Sequence, residues 1–294
     1  MPVMPFDYPA AISYLGAMID EQTIFIAFDT ETTGLATATG RIVEIAALKF
    51  DWNGKILDRF SELVKPPGEI PATAIAIHHI TDEMVADKPG IEQVLPRFLG
   101  FLGGDQTVLL AQNALFDIGF INHEAIRSSI GLPRNVIMDQ IEVTRRIYRD
   151  LPTYSLESTC RRFNLVERQD HRAMADAVLV MKLFLHCLKQ VRPEEGMNIL
   201  NSLFHYTFGG PMAARIDEAM LDTVVAALES GGTLEIIYSA GTMRGMSRKI
   251  MPTLMYTRDG VAYLTARCLR TGASRQFRLD RIRTCRLVLE STPG

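Results

Sequence analysis

FIAFDTETTGL, residues 25–35, is the stretch that decides how this chain folds. Ile24–Phe28 is apolar and reads as a buried strand. Asp29 and Glu31 follow two residues apart. Alternate residues of a strand share a face, so both carboxylates can converge on one cation at the strand's end. Thr32-Thr33-Gly34 breaks the strand, and Gly34 lets backbone come close to a ligand. Two neighbouring anions are expensive to bury unless a cation neutralises them. Taken alone, an aspartate and a glutamate so placed read as a solvated turn; the rest of the chain changes that reading.

Further along, Ile42–Phe50 and Lys55–Val64 read as strands joined by the hairpin turn Asn53-Gly54. From His78 the pattern turns helical, through ITDEMVAD and IEQVLPRFLGFLGG, and Val108–Ala111 is a short buried strand. A helix over ALFDIGFINHEAIRSSIG, ended by Gly131, carries Asp117 in its first turn with Asn113 just before it. The helix dipole alone would favour an acid there. Helical patterns continue at IEVTRRIYRD, SLESTCRRFN and RAMADAVLVMKLFLHCLKQV. In RQDHRAMADA, His171 and Asp176 stand five residues apart, which on a helix leaves them about 140° from one another. They cannot share a helix face. The spacing predicts His171 in a loop or frayed turn, swinging toward a helix that bears Asp176. A histidine beside carboxylate-bound cations suits proton abstraction from water, since an unperturbed imidazole titrates near pH ~6.5. Strands first, then strand alternating with helix, imply an α/β mixed sheet flanked by helices.

Helix continues through Pro193 to about Glu229, and then the periodicity changes. LEIIYSA, IMPTLMYT, GVAYLTARCL and RQFRLDRIRT are short, aromatic and alternating, which predicts a small, strongly curved β domain. A chain of 294 residues suits two domains, and 47% hydrophobic with 22% charged residues is ordinary for a globular protein. No apolar run reaches the roughly 18–20 residues of a membrane helix. The N-terminus lacks a basic region, making a poor secretion signal, and reads as an amphipathic helix from about Pro9 to Glu21. Cys160, Cys187, Cys268 and Cys285 show no paired spacing, so a reducing cytoplasm is the simplest compartment.

The net charge of −3 hides an asymmetry. Residues 1–190 hold 18 Lys/Arg against 24 Asp/Glu, or −6, whereas residues 244–286 hold 11 against 2, or +9. The local value argues for an anionic partner where the whole-chain value would not.

FDTETTG, NALFD and HRAMADA, in this order and spacing, resemble the three exonuclease motifs of the DEDDh superfamily, in particular the proofreading epsilon subunit of bacterial DNA polymerase III and its relatives. The likeness runs over about residues 22–187 and includes HHITDEM. It implies a ribonuclease-H-like fold, a five-stranded mixed sheet with helices on both sides. It also implies two Mg²⁺ or Mn²⁺ ions clamping the scissile phosphate of a DNA or RNA 3′ end. Asp29 would bridge the ions, Glu31 and Asp176 would sit on the nucleophile-side ion, and Asp117 on the other. His171 would deprotonate the attacking water. Oxygen ligands fit hard cations, and no thiolate is there to select zinc. By the same resemblance Thr30, Thr32, Gly34 and Leu35 contact the terminal nucleotide and Asn113 supports the backbone. His78 and His79 could touch substrate or be structural.

The basic segment, about residues 217–290, resembles the WYL domain through Ile237-Tyr238, Arg248, Pro252, Tyr263-Leu264 and Phe277–Ile282. Ala262 stands where the family's namesake tryptophan would be. This resemblance implies a small Sm-like β-barrel that binds nucleotides or single-stranded nucleic acid. Arginines interleaved with Tyr238, Tyr256, Tyr263 and Phe277 supply phosphate contacts and stacking faces, although a small barrel also needs aromatics inside. Arg248, Arg267, Arg278 and Arg281 are the candidate ligand contacts, because the guanidinium fork suits phosphate and the segment has a single lysine.

The chain thus divides into an N-terminal extension (1–21), a nuclease domain (22–190), a helical linker (191–214) and a WYL-like domain (215–294). The preferred reading is a free-standing, metal-dependent 3′→5′ exonuclease releasing nucleoside monophosphates, with a C-terminal domain that recruits substrate or regulates. The competing reading is a nucleotide- or nucleic-acid-sensing regulator that uses the nuclease fold as a binding platform. A third has the C-terminal domain dimerise the protein into a homo-oligomer.

Overall fold

The structure, a computed structural model, describes residues 19–35, 40–103, 107–133, 135–203, 206–208, 218–240, 245–258 and 261–288. The helix expected over Pro9–Glu21 lies outside them except for its last three residues, which are irregular.

Five strands build the first sheet: β1 (Ile24–Thr32), β2 (Ile42–Phe50), β3 (Ile56–Leu63), β4 (Thr107–Ala111) and β5 (Val136–Asp139). Their order is β3-β2-β1-β4-β5, with β2 antiparallel to β1 and β3, and β4 and β5 parallel to β1. This is the mixed sheet of the ribonuclease-H-like fold. Gly54, at φ 83°, makes the hairpin turn that an L side chain would resist.

Because β1 is buried on both faces, its alternation sorts side chains into two cores. Ile26 and Phe28 join a core with α3 (Ile91–Leu102) and α4 (Leu115–Arg127). Phe25 and Ala27 join the other, with α5 (Gln140–Ile147), α6 (Leu156–Arg162), α7 (Ala173–Leu188) and α8 (Pro193–Ser202). The same alternation continues into the polar end of the strand and fixes where Asp29, Thr30 and Glu31 point. Two short helices, Ala72–His78 and Asp82–Val85, cover the edge beside Val43.

Local endings differ from expectation in one instructive place. α4 stops at Ser128, not at Gly131, because Ser129 itself takes the left-handed conformation (φ 54°). Ile130 N–H then donates to Ala125 O at 2.8 Å and Ser129 N–H to Ile126 O at 3.1 Å, the paired closure that usually uses glycine.

The C-terminal region departs further. The linker is not wholly helical: after α8 comes a two-residue strand, β6 (Tyr206–Thr207). Helix α9 (Glu218–Ser230) then packs Val224, Ala227 and Leu228 on Leu234, Ile236, Ile250, Leu264 and Phe277. Those residues come from β7 (Thr233–Tyr238), β8 (Ser247–Arg258), β9 (Val261–Cys268) and β10 (Ser274–Arg278), which β11 (Ile282–Val288) completes. RQFRLDRIRT is not one strand, because a 3-10 turn over Leu279–Arg281 divides it. The result is an antiparallel sheet in the order β11-β7-β8-β9-β10, with no ladder between β10 and β11 among the described residues. The expected closed barrel is therefore an open sheet here.

One end of β8 joins the two sheets. Arg258 and Thr257 pair with Tyr206 and Thr207 of β6, and Tyr206 pairs with Ile137 of β5. The two sheets thereby run together as one of eleven strands. Tyr206 and Phe208 are buried in the nuclease core, with Leu254 and Tyr263 packed against it. Asn122 of α4 donates its side-chain N–H to the Met255 carbonyl at 3.1 Å. Phe208→Ala should consequently lower the stability of the nuclease unit itself by about 3–5 kcal/mol, the usual loss for a fully buried phenylalanine. Urea denaturation followed by tryptophan fluorescence checks this through Trp52; an unchanged midpoint would mean that the two units are energetically separate.

Candidate active site

Strand alternation delivers the acids. Asp29 and Glu31 continue the face of Phe25 and Ala27, toward α7, while Thr30 continues the face of Phe28, toward α4. Asp176 lies in the first turn of α7, and one oxygen each from Asp29, Glu31 and Asp176 fall within 4.8 Å of one another. Asp117, in the first turn of α4 and 2% exposed, stands outside that tight group. It is tied to β1 instead, accepting the Thr30 hydroxyl at 2.7 Å. His171 sits in the loop before α7 at φ 49°, and its charge acts on Asp176.

Burial sets the electrostatics. Asp29 is raised well above the ordinary carboxylate range, chiefly by burial and then by Asp117, Asp176 and Glu31 around it. Burial, then Asp176, pushes Glu31 up to about 8. Asp117 is also raised by burial, against the Thr30 hydrogen bond that lowers it. Burial lifts Asp176 to about 6, opposed by Gln169, whose amide donates to Oδ2 at 2.5 Å. The other oxygen of Asp176, Oδ1, is buried with no hydrogen-bond partner among the described residues. Three converging carboxylates, one with an unpartnered oxygen, are a donor set that could hold a cation, and an all-oxygen set suits a hard one.

Around this centre, Thr30 and Thr32 are buried, and the Thr32 hydroxyl donates to Gly34 O at 2.7 Å. Gly34 and the 85%-exposed Leu35 border a cavity of about 590 Å³ walled opposite by Pro66, Pro67, Gly68 and Pro71. Asn113 is exposed and left-handed (φ 56°) between β4 and α4, its N–H donating to Asp139 Oδ1 at 3.0 Å. His78 is buried, with Nδ1 accepting the Ile80 N–H at 3.0 Å, which is a structural bond, whereas His79 is exposed.

The four C-terminal arginines do not form one site. Arg248 lies on the core side of β8, 5.7 Å from the Phe277 ring and 6.0 Å from that of Tyr238. Arg267 is exposed on the opposite face of its strand from buried Leu264, Ala266 and Cys268. Arg278 forks onto Asp280 at 2.7 and 3.1 Å, and Arg281 is exposed. The side chain of Tyr256 lies outside the described residues.

Sequence reasoning missed Asp139, Gln169, Glu44 and Arg172. Asp139 caps α5 through Ile141 N–H at 2.9 Å and holds Asn113, and burial raises it to about 6. Glu44 is 3% exposed and grips Arg172 and the first amide of α7. A glutamate inside the apolar run IVEIAALKF was the available signal.

Comparisons with known proteins agree with this geometry. A family model described as an exonuclease matches residues 26–184, and a WYL domain model matches residues 219–287. The chain therefore belongs to the exonuclease family and carries a WYL domain behind its nuclease domain. The PolC-type DNA polymerase III of Halalkalibacterium halodurans is 39% identical over 153 residues, 52% of this chain and 10% of that one. The Caldanaerobacter subterraneus counterpart is 37% identical over 168 residues, 57% of this chain and 12% of that one. The chain thus spans about a tenth of the length of these relatives. Among solved structures, one of exonuclease I is 16% identical, covering 90% of this chain and 64% of that one at a TM-score of 0.56. Escherichia coli exonuclease I in complex with a dA16 oligonucleotide is 18% identical, covering 83% and 55% at a TM-score of 0.54. At that identity the likeness is one of fold.

The raised carboxyls set a pH dependence. A carboxyl with a higher pKa in the folded state binds protons more tightly there, so its ionisation weakens the fold as pH rises through the folded value. Unfolded, these carboxyls ionise at about 4, so the loss builds from there up to about 6 for Asp176 and Asp139 and continues up to about 8 for Glu31. His123, which burial pulls down to about 4, opposes this only on the acid side. In EDTA the protein should therefore melt at a higher temperature near pH ~6.5 than near pH ~8.5. Added Mg²⁺ or Mn²⁺ should raise the melting temperature more at the higher pH, where the carboxyls are ionised. Scanning fluorimetry decides it; a melting temperature that climbs with pH in EDTA contradicts the electrostatic reading.

Proposed function

We propose that the protein hydrolyses the terminal phosphodiester of a DNA or RNA 3′ end, releasing a nucleoside 5′-monophosphate, with two divalent cations, Mg²⁺ or Mn²⁺, as cofactors. The observation that carries this is the convergence of Asp29, Glu31 and Asp176 within 4.8 Å, with the buried Asp176 Oδ1 unpartnered among the described residues. Asp29, Glu31 and Asp176 would hold the cations, with Asp117 completing the set from α4. When bound, the cations neutralise charge on the phosphate and acidify the attacking water. His171, placed on a loop rather than on the helix of Asp176, takes the water's proton. The water oxygen bonds to phosphorus as the bond from phosphorus to the 3′ oxygen breaks, and that oxygen leaves, protonated, as the 3′-hydroxyl of the shortened strand. Gly34 and Leu35, beside the cavity, receive the terminal nucleotide.

The division at residues 190 and 215 stands as part of this proposal, as does nucleic acid or a nucleotide as the C-terminal ligand. Arg248, beside two aromatic rings, is the best placed of the four arginines for a stacked ligand. A cytoplasmic location fits four cysteines that are all free thiols. Among the described residues no helix is long and apolar enough to cross a membrane.

Asp29→Ala and Asp176→Ala should each reduce turnover by about a thousandfold, since several kcal/mol of transition-state stabilisation depends on the cations they hold. The assay uses labelled single- and double-stranded DNA and RNA, blocked at the 5′ or the 3′ end, with Mg²⁺, Mn²⁺ or EDTA. Activity that survives in both variants, or in EDTA, rejects the reading; the blocked ends report polarity and the four substrates report preference.

A further inference from the structure

Glu44 is the third residue of β2, directly opposite Glu31 in the antiparallel register with β1. Two glutamates facing across a strand pair repel, and Glu44 is 3% exposed, so its charge needs a strong partner. Arg172 supplies it. The guanidinium is bidentate, Nη2 to Oε1 at 2.7 Å and Nε to Oε2 at 2.9 Å. Oε2 also accepts the Ala173 N–H at 3.0 Å. Arg172 is the N-cap of α7 and makes no side-chain cap bond of its own, so the cap is provided by a carboxylate from another strand.

The residues so pinned are not ordinary ones. Arg172 and Ala173 follow His171 directly, and His171 holds a left-handed backbone, φ 49°. Such a conformation in a residue with a side chain persists only where its surroundings over-determine it. The carbonyl of Arg172 accepts the Asp176 N–H at 3.0 Å, closing the first turn of α7. One buried carboxylate on β2 thereby fixes the chain on either side of the loop–helix junction, with the histidine upstream and the aspartate one turn downstream.

We propose that Glu44 and Arg172 are positioning residues of the nuclease, the fork between them holding His171 and Asp176 in register with Asp29 and Glu31. This rests on the roles given above to His171 and Asp176. Neither Glu44 nor Arg172 need touch the substrate or the cations. The fork works because its geometry admits a single orientation, which a lysine's point charge would not enforce.

A second buried fork provides an internal control. Glu124, on α4, holds Arg41 through two bonds of 2.8 Å and accepts the Ile42 N–H at 3.3 Å, with no bond to residues 171–173 among the described residues. If buried forks merely stabilise, breaking either should act alike. If the Glu44 fork positions the catalytic loop, only its loss should reach kcat.

The test compares Glu44→Gln, Arg172→Ala, Arg172→Lys, the Glu44→Gln/Arg172→Ala double variant and Glu124→Gln in the full chain. On a 3′-labelled oligonucleotide at saturating Mn²⁺, Glu44→Gln and Arg172→Ala should lower kcat about 10–100-fold with KM nearly unchanged, the usual effect of an outer support on a metal site. The double variant should be no worse than the poorer single one, because both break the same fork. Arg172→Lys should recover only part of the loss, and it keeps the test readable if Arg172→Ala fails to fold. Glu124→Gln should lower the melting temperature while sparing kcat. Hydrogen–deuterium exchange on the metal-free proteins supplies the readout independent of activity: amides 173–176 should exchange about tenfold faster when the fork is broken, with β1 and β2 unaffected. Unchanged exchange at 173–176, a loss confined to KM, or additive losses in the double variant would overturn the inference. A wild-type protein with no metal-dependent cleavage would remove the proposed function instead, and the exchange data would still decide whether the fork holds the loop.

Discussion

Everything in the nuclease half is arranged around one electrostatic problem, the burial of several carboxylates at the end of a single strand. Asp29, Glu31 and Asp176 converge there, and Asp117 and Glu44 stand close enough to add to their repulsion. Burial, followed by repulsion from neighbouring acids, shifts Asp29 and Glu31 upward, so the metal-free site favours protonated carboxyls at a pH where a cation would favour ionised ones. The fold tolerates this because β1 is central in the sheet and secured on both faces by large aromatic side chains, among them Phe25 against Phe184 and Phe28 against Phe98. The stability lost at the polar end of the strand is offset by the apolar remainder.

Three of these acids are relieved locally, each in a different way. Thr30 donates to Asp117, Gln169 to Asp176, and Arg172 to Glu44. Among the described residues Asp29 and Glu31 have no such donor, so their repulsion is the least compensated. Arg172 lowers Glu31 only as a distant countercharge, the last of the influences on it. A site of this kind binds a cation because of what its neighbours leave uncompensated.

The second domain is joined to the first through the sheet rather than by a flexible tether. Tyr206 pairs with β5 on one side and β8 on the other, while Phe208 packs 6.3 Å from Phe28, the residue just before Asp29. The basic C-terminal sheet therefore shares the core of Ile26, Phe28 and α4, on the face of β1 opposite to Asp29 and Glu31. The division of the arginines between two faces follows from the alternation of β8 and β9.

Sequence alone pointed to Asp29, Glu31 and Asp176 as one group, and determined the hairpin at Asn53-Gly54, the strand-then-helix order and the displacement of His171 from the helix of Asp176. These are local facts, governed by side-chain period, turn chemistry and helix geometry within a few residues. Only the tertiary structure decided that the C-terminal strands continue the nuclease sheet, that α4 ends on a left-handed serine, and that Arg248 and Arg267 face opposite ways. It also brought Glu44 to Arg172 across 128 residues of chain. A two-residue strand such as Tyr206–Thr207 carries no periodicity to read, and a buried glutamate does not name its partner. Which distant group neutralises a charge depends on how separate elements pack, and the order of residues along the chain does not contain that directly.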